Sequence, residues 1–220
     1  MYIYVIRHGE TYANLNGYFQ GWTDDPLTDN GRRLAVITGK RIKEKGIKFD
    51  CCYSSPLSRA KETADIVLRE SGNEIPVILD DRLKEVNMGD WEKKHFRDGE
   101  REVDKDQMEL MYLDPFAFGG CPNGEQFTEV IERSQELLNE IIARDDDKTY
   151  LLATHGVTFR CILNSLYEDP SDLWQGVLPY NCAVSIIEAK GGKAKLIEDN
   201  IVFYDEKDIV DLIGYNAEDH

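Results

Sequence analysis

The chain has 220 residues and a formal net charge of −16, which repels polyanions at long range and argues against nucleic acid or an anionic membrane as a partner. An anionic ligand would therefore have to be held by a local group of cations. The sequence contains no apolar stretch of about eighteen residues and no secretion signal at its N-terminus, so we expect a soluble, cytoplasmic protein without a membrane-spanning segment.

Apolar runs alternate with amphipathic segments in the first part of the chain. Residues 2–6 predict a buried strand, and the segment after Thr28 predicts a helix that ends at Gly46. A second helix is predicted at residues 56–72, with Pro56 in its opening turn. Further strands are predicted at “FDCCYSS” and “IPVILD”.

The middle of the chain is less regular, and clear signals return after it. The charge-dense residues 92–114 favour a helix, whereas the following “PFAFGGCPNGEQF” is typical of a loop. The later predicted elements are a helix at 128–145, a strand at “KTYLLATHG”, a helix at “VTFRCILNSLYE”, and the strands “CAVSIIEA” and “KAKLIEDN” around a turn at Gly191 and Gly192.

Strands that alternate with helices favour an α/β fold in which right-handed crossovers join the strands of a mostly parallel sheet. We predict a three-layer sandwich with this sheet in the centre and helices on both faces. The closing strand pair is expected to add antiparallel character. We expect one domain that spans residues 1–220.

Reactive side chains follow several predicted strands at the point where each strand ends. His8 follows the first strand and His155 follows “YLLAT”, while Arg59 and Glu85 lie just beyond the second and third strands. Because ligands of open parallel sheets bind outside the carboxyl ends of the strands, we expect these four side chains to meet at one rim. Each alone has an ordinary structural explanation, but their shared position favours a site.

Two of these strands end in the same dipeptide, histidine followed by glycine. We expect both imidazoles at one sheet edge, with Gly9 and Gly156 letting backbone amides approach a ligand. Two histidines and a carboxylate are also a common metal-ligand set, but Arg7 beside His8 would repel a divalent cation. The five cysteines show no paired metal-ligand spacing. Arginines that face histidines suit a phosphoryl group better.

Five blocks of the sequence carry a specific ordered pattern. The first is “VIRHGETYANLNGYFQGWTDDPLTDNGRRLA”, and the later ones are “YSSPLSRAKETA”, “LKEVNMGDWE”, “PNGEQF” and “ATHGVTFRCIL”. In this order they resemble the signature of the histidine phosphatase superfamily, also called the phosphoglycerate mutase-like family. The resemblance covers most of residues 1–190.

The resemblance implies a covalent mechanism that needs no metal ion and no cofactor. His8 would attack phosphorus to form a phosphohistidine, and Glu85 would protonate the leaving alkoxide and then deprotonate water. Neighbouring arginines would help to keep His8 neutral, and Glu10 would support the loop. The residues implied for holding the phosphate are Arg7, Asn14, Gln20, Gly21, Arg59, His155 and Gly156, of which Arg7, Arg59 and His155 would also stabilise the transition state.

The sequence favours a phosphatase acting on a small phosphorylated metabolite over a phosphoglycerate mutase. Mutases of the family carry a longer insertion after the glutamate block, with a lysine and an arginine pair for the substrate carboxylate. Residues 86–121 are shorter here and show no such pair. A mutase is the alternative, and a third hypothesis is an inactive module that binds phosphorylated protein. The intact catalytic set argues against the third, and the sequence does not indicate the oligomeric state.

Residues 86–127 are expected to form a substrate-facing insertion. Its basic group would either border the pocket and select an acidic group on the substrate, or form a solvated charged face. Its phenylalanines would either contact the substrate or hold the loop in place. The residues whose roles the sequence leaves open in this way are Lys93, Lys94, Arg97, Phe116 and Phe118.

Overall fold

Six strands form one central sheet in residues 1–97 and 99–208, the parts of the chain that this computed structural model describes. The strands are β1 (Tyr2–Arg7), β2 (Cys51–Ser54), β3 (Val77–Leu79), β4 (Thr149–Thr154), β5 (Val184–Lys190) and β6 (Lys193–Ile201). Their order is β3-β2-β4-β1-β5-β6, with parallel pairing from β3 through β1 and antiparallel pairing of β5 with both neighbours. The predicted mostly parallel sheet with an antiparallel closing pair is confirmed.

Seven α-helices in the same described residues connect the strands and cover the sheet. They are α1 (Tyr12–Asn16), α2 (Asp29–Glu44), α3 (Ser58–Ser71), α4 (Lys105–Leu113), α5 (Pro115–Phe118), α6 (Phe127–Ile142) and α7 (Gly156–Leu163). Helices α2 and α3 pack over one face, and α6 and α7 over the other. This arrangement is the predicted three-layer sandwich.

Alternation along the strands builds a separate core on each face of the sheet. In β1, Tyr4 and Ile6 belong to the core beneath α2 and α3, while Ile3 and Val5 belong to the core beneath α6 and α7. Helices cover both faces of the sheet, so both faces of β1 are buried. Residues 3–6 of this strand are all apolar or aromatic, which is the pattern expected of a buried parallel strand.

A third core lies beside the sheet and joins the middle of the chain to the segment after α7. Its buried members include Phe19, Met111, Phe127 and Trp174. Apolar residues from four separate segments therefore meet here, and the segment 86–127 packs against the rest of the protein through this core.

The predicted helix at 92–114 forms only in its second half, so this prediction is wrong for the residues before α4. Asp104 caps α4 by accepting the N–H of Gln107 at 2.9 Å. The backbone before it pairs instead with the chain after α1, where Phe19 donates to the Lys94 carbonyl at 2.9 Å. Part of the predicted loop, in turn, forms the short helix α5.

Side-chain caps fix where α2 and α3 begin. Thr28 caps α2 as predicted, by accepting a backbone N–H of its first turn. Helix α3 begins at Ser58, whose N–H is accepted by the carboxylate of Asp24 at 2.9 Å. Pro56 therefore precedes the helix, and its predicted place in the opening turn is wrong, but Arg59 does lie in the first turn.

The described residues leave out position 98 and residues 209–220. The single domain over residues 1–220 therefore stays a prediction. Among the described helices, none combines the length and apolar character needed to cross a bilayer.

Candidate active site

The two histidines that follow β1 and β4 lie side by side. The strands are paired in parallel with Arg7 opposite Thr154, so the residues that come next, His8 and His155, leave the sheet at the same edge. Their ring centroids are 5.1 Å apart. The shared His-Gly ending thus brings both imidazoles together, as expected from the strand pattern.

A cavity opens at this edge of the sheet and has a volume of about 650 Å³, which includes space open to solvent. We call the polar part of its lining, together with Gly156, the floor, and the apolar and aromatic part the wall. The floor residues are Arg7, His8, Asn14, Gln20, Glu85 and Gly156. The wall residues are Tyr18, Phe19, Met88, Phe96, Met111, Tyr112, Val157, Trp174 and Leu178. Six of the residues predicted for the site therefore line the cavity, and Gly21, Arg59 and His155 do not.

The tautomer of His8 follows from its hydrogen bond to the Gly9 carbonyl. The His8 Nδ1 lies 2.7 Å from this oxygen, and because a carbonyl only accepts, Nδ1 carries the ring proton. In the neutral ring, Nε2 then holds the lone pair. The polar floor therefore presents a nitrogen that is able to attack an electrophile.

Burial and two arginines keep the His8 ring neutral. Burial lowers the pKa of His8 well below its usual 6.5, and the charges of Arg59 and Arg7 lower it further. The same arginines would stabilise an anion placed beside the ring. The electrostatics therefore suit an unprotonated imidazole next to a phosphoryl group.

His155 is fixed in the opposite tautomer. Its Nδ1 accepts from the Nε of Arg59 at 3.1 Å, so the ring proton lies on Nε2, which is 2.8 Å from the Ser55 hydroxyl. Burial lowers the pKa of His155 well below 6.5, and Arg59 and His8 add to this effect. Protein groups engage both ring nitrogens here, so a direct bond from His155 to phosphate stays a prediction.

Arg7 supplies the positive charge of the cavity floor. One of its terminal nitrogens donates to the Pro179 carbonyl, but its buried Nε has no hydrogen-bond partner among the described residues. Burial lowers the pKa of Arg7 to about 10, so the guanidinium is still charged at neutral pH. A buried donor without a partner is costly, and an anion in the cavity would remove that cost.

Arg59 lies behind the floor and holds the loop after α1. Its terminal nitrogens donate to the carbonyls of Thr23 and Gly21 at 2.9 and 2.7 Å, and burial lowers its pKa to about 10. The N–H of Gly21 in turn donates to Glu92 at 3.1 Å. Arg59 therefore contributes its charge to the site, while direct phosphate contacts from Arg59 and Gly21 stay predictions.

Asn14 is oriented so that its amide group faces the cavity with donors. Its Oδ1 accepts from the Thr11 N–H at 3.2 Å and from the Asn181 side chain at 3.3 Å, which leaves the NH₂ group for a ligand. Gln20 is less available, because its Oε1 accepts from the Thr11 hydroxyl at 2.8 Å and its Nε2 lies 3.5 Å from Asp25.

Glu85 reaches the cavity from the segment after β3 and sits at the N-terminus of α7. Its Oε2 accepts the N–H of Val157 at 3.1 Å, and its Oε1 accepts the N–H groups of Thr158 and Val86 at 3.0 Å. The N–H groups of Val157 and Thr158 lie in the first turn of α7, where they have no intrahelical acceptor, and the Glu85 carboxyl oxygens supply one. The same contacts hold the carboxyl group at the cavity floor.

The absence of a side chain at Gly9 allows close backbone packing within the protein, and the Gly9 amide does not face a ligand. Its N–H donates to the Thr63 hydroxyl at 3.0 Å, and a Cβ at this position would lie 2.6 Å from the Gly31 carbonyl oxygen. The expectation that the Gly9 amide approaches a ligand is therefore wrong. Gly156 does line the cavity, and a Cβ there would make ordinary contact with the Arg7 guanidinium at 3.5 Å.

A family model described as the histidine phosphatase superfamily (branch 1) matches residues 3–201. The chain belongs to this superfamily. A curated relative from Cronobacter sakazakii, named “Probable phosphoglycerate mutase GpmB”, is 32% identical over 186 residues, or 84% of each chain. The solved structure of Bacillus stearothermophilus YhfR has a TM-score of 0.82 and 35% identity, and the match covers 91% of this chain and 97% of that one.

A second solved structure in the comparison is a mycobacterial glucosyl-3-phosphoglycerate phosphatase in complex with VO₃. It is 25% identical with a TM-score of 0.77, over 90% of this chain and 98% of that one. The relatives of this histidine phosphatase superfamily member thus include proteins named as phosphatases and proteins named as mutases.

Three residues that support the site escaped the sequence analysis of this superfamily member. Arg133 donates to the Glu85 carbonyl at 3.1 Å, Glu92 accepts the Trp22 N–H at 2.6 Å, and Asn181 donates to the His8 carbonyl at 3.1 Å. Glu92 lies inside a block that carries the family resemblance, and this position could have identified it as a residue of the site. Arg133 and Asn181 lie in no such block.

The basic group of the middle segment is not among the described residues that line the cavity. Arg97 donates to the Asn14 carbonyl at 3.2 Å, and the Lys94 ammonium lies 4.0 Å from Glu102. Lys93 lines a second surface cavity, which shares Tyr18 with the first. Of the two interpretations left open by the sequence, these positions favour the solvated face.

The two phenylalanines of α5 have different surroundings. The ring of Phe118 packs against Trp91 and Phe127, with centroids 5.4 and 5.8 Å away, so it holds the segment in place. Phe116 is partly exposed, and it is not among the residues that line the cavity.

Proposed function

We propose that this superfamily member hydrolyses phosphate monoesters of a small metabolite through a phosphohistidine on His8. The observation that carries the proposal is the His8 ring, whose Nε2 is not used in the Gly9 contact and whose pKa is lowered by burial. It lines the same cavity as Arg7, whose Nε has no hydrogen-bond partner among the described residues. A nucleophile and an anion-binding donor thus share one cavity floor.

The first step would transfer the phosphoryl group to the protein. The His8 Nε2 lone pair forms a bond to phosphorus while the bond from phosphorus to the ester oxygen breaks. Glu85, which lines the same floor and would enter this step in its protonated form, gives its proton to the departing alkoxide and becomes a carboxylate. The products of this step are the free alcohol and phosphohistidine.

The second step would release phosphate and restore the resting site. Water attacks phosphorus, Glu85 takes the proton of the water, and the electron pair of the N–P bond returns to the His8 Nε2. The donors of Arg7 and Asn14 and the charge of Arg59 would stabilise the charge that spreads over the phosphoryl oxygens. Loss of one such donor is expected to lower the rate by about 10²–10³-fold.

A phosphate-release assay tests the proposal. Protein treated with a chelator is incubated with a broad panel of phosphate monoesters, and we expect release of phosphate and an acid-labile phosphoprotein intermediate. His8→Ala should abolish both, because the covalent route is lost. If the wild-type protein binds phosphate normally but releases none from any ester, the hydrolase proposal is wrong, and the module that binds phosphorylated protein becomes the better hypothesis.

A phosphoglycerate mutase is the second candidate, because the Cronobacter sakazakii relative carries that name. A phosphoglycerate has a carboxylate in addition to its phosphate. The described residues that line the cavity include a single arginine, Arg7, and no lysine, so the second anion would find no cation there. We expect phosphate release to outpace isomerisation of 3-phosphoglycerate in a coupled assay with a bisphosphoglycerate primer, and the opposite result would reverse this ranking.

A further inference from the structure

The apolar wall of the cavity has no role in the proposed hydrolysis. It lines the same cavity as the polar floor, so the part of a substrate that projects away from His8 would meet this wall. The wall comprises nine apolar or aromatic residues, from Tyr18 to Leu178. They come from the chain after α1, from the segment between β3 and α4, from α4 and α7, and from the segment before β5. A surface of this kind recognises carbon in a ligand.

Packing within the protein holds the wall in place. The indole N–H of Trp174 donates to the Met111 carbonyl at 3.0 Å, so the polar atom of this ring is already satisfied. Phe19 packs against Phe96 with ring centroids 5.2 Å apart, and the Tyr18 ring lies 3.9 Å from that of His95. The wall is therefore formed before a ligand arrives, which lowers the entropic cost of binding.

The charged residues that line the cavity also favour a ligand whose alcohol portion is uncharged. The charged groups among its described lining are Arg7 and Glu85, and Arg7 would be occupied by the phosphoryl group. A second phosphate or a carboxylate on the substrate would have to lose its hydration against aromatic and aliphatic carbon without a cationic partner. Burial of an unpaired charge in such surroundings is strongly unfavourable.

We propose that the substrate is a phosphate monoester of an apolar or aromatic alcohol that carries no second anionic group. This inference rests on the proposed function for the site. It adds that the alcohol portion lies against the wall formed by residues such as Met111 and Trp174, and that carbon contact in place of a second ionic contact provides the specificity.

Binding of phosphonates separates this inference from the hydrolase proposal, because phosphonates cannot be hydrolysed. We would compare ethylphosphonate, n-hexylphosphonate and 6-phosphonohexanoate on the wild-type protein by calorimetry. The hexyl compound should bind at least about tenfold more tightly than each of the other two, since added methylenes in an apolar pocket typically bring gains of this size. Equal or weaker binding of the hexyl compound would overturn the inference, as would no binding of any of the three.

A matched pair of variants locates the effect in the wall. Leu178 is a wall residue that is only partly buried, and its neighbour Val177 is 42% exposed and does not line the cavity. Leu178→Lys should shrink or reverse the preference for n-hexylphosphonate over 6-phosphonohexanoate, because it supplies the missing cation. Val177→Lys adds the same charge and should preserve the preference. An unchanged preference in Leu178→Lys would contradict the inference.

Hydrolysis of n-hexyl phosphate and ethyl phosphate completes the test. The two esters have similar leaving groups, so a kcat/KM at least about tenfold higher for the hexyl ester reports contact with the wall and not chemical reactivity. If the phosphonates show the expected order but no ester is hydrolysed, the hydrolase proposal fails while the binding preference stands. If both esters are hydrolysed with equal kcat/KM, the hydrolase proposal stands and this inference fails.

Discussion

At the residue scale, His8 and His155, each followed by a glycine, differ in the ring nitrogen that carries the proton. The partner of His8 is a carbonyl, which only accepts, and the partner of His155 is the Arg59 guanidinium, which only donates. The two rings are therefore neutral with opposite tautomers. This difference favours His8 as the candidate nucleophile, because no donor among the described residues is recorded for its unprotonated nitrogen.

Asn181 is expected to act on catalysis by positioning Asn14 and His8. Its Nδ2 donates to the His8 carbonyl at 3.1 Å and to the Asn14 Oδ1 at 3.3 Å. Asn181→Ala removes both bonds, and we expect kcat/KM for a phosphate monoester to fall by about 10- to 100-fold, since small misplacements of reacting groups are costly. The measurement is steady-state kinetics together with thermal unfolding.

Asn164→Ala is the matched control for this prediction. Asn164 is also a buried asparagine whose side chain donates to a carbonyl, that of Pro170 at 2.8 Å. It does not line the cavity. The control should lower stability with little effect on kcat/KM, and a comparable kinetic loss in both variants would show that Asn181 has a merely structural role.

The sequence predicted the residues on the cavity floor better than the residues that support them. Arg7, His8 and Glu85 follow predicted strands, and the rule that ligands bind at the carboxyl ends of parallel strands places them together. Asn181 gives no such signal, because its contact with His8 depends on the antiparallel β5 lying directly beside β1. Pairing between distant strands is a tertiary feature that local patterns do not encode.

At the scale of elements, the turn after β1 and the start of α2 approach each other through two glycines. A Cβ on Gly31 would lie 2.2 Å from the Glu10 carbonyl oxygen, and a Cβ on Gly9 would lie 2.6 Å from that of Gly31. The contact involves backbone atoms on both sides, so neither side can relax by rotating a side chain. The turn that carries His8 is therefore positioned by direct backbone packing against α2.

Gly31→Ala should consequently displace the turn that carries His8. We expect a loss of about 1–3 kcal/mol in the free energy of unfolding from overpacking, together with a lower kcat. Urea denaturation and steady-state kinetics measure the two effects. Asp29→Ala, in the same first turn but at an exposed position, should change both values little. Unchanged stability and kcat in Gly31→Ala would show that the turn tolerates the shift.

The middle segment shows how tertiary contacts override local helical preference. Residues 93–96 are rich in charge and were predicted as helix, yet their backbone pairs with the chain near Phe19, and the side chain of Phe96 enters the third core. Helix α4 begins only where Asp104 supplies a cap. Charge density alone indicated exposure, but it did not distinguish a helix from an extended segment held by distant partners.

At the scale of the whole molecule, the buried neutral histidines make stability depend on pH. The pKa values of His8 and His155 are lowered well below 6.5, mainly by burial, whereas the unfolded chain binds protons with a pKa near 6.5. As pH falls through 6.5, the unfolded state takes up protons that the folded state does not, so the folded state loses stability. Each histidine contributes a slope of up to about 1.4 kcal/mol per pH unit.

The free energy of unfolding should therefore decrease between pH 6.5 and pH 5. Urea denaturation at a series of pH values measures it, and the double variant His8→Gln with His155→Gln should show a shallower slope whatever its absolute stability. The comparison of slopes cancels the contributions of carboxylates common to both proteins. Parallel slopes in the two proteins would contradict the lowered pKa values.

The antiparallel strand β5 brings the segment before it into contact with residues of the cavity floor. The Pro179 carbonyl accepts from Arg7, and Cys182 and Asn181 donate to the His8 carbonyl. These contacts therefore join residues that are separated by more than three quarters of the chain. During synthesis, His8, the proposed nucleophile, emerges early, and the residues before β5 that contact Arg7 and His8 emerge late. The proposed activity would therefore appear only when the fold is complete. A fragment that ends before β5 should be inactive even where its parallel strands are formed.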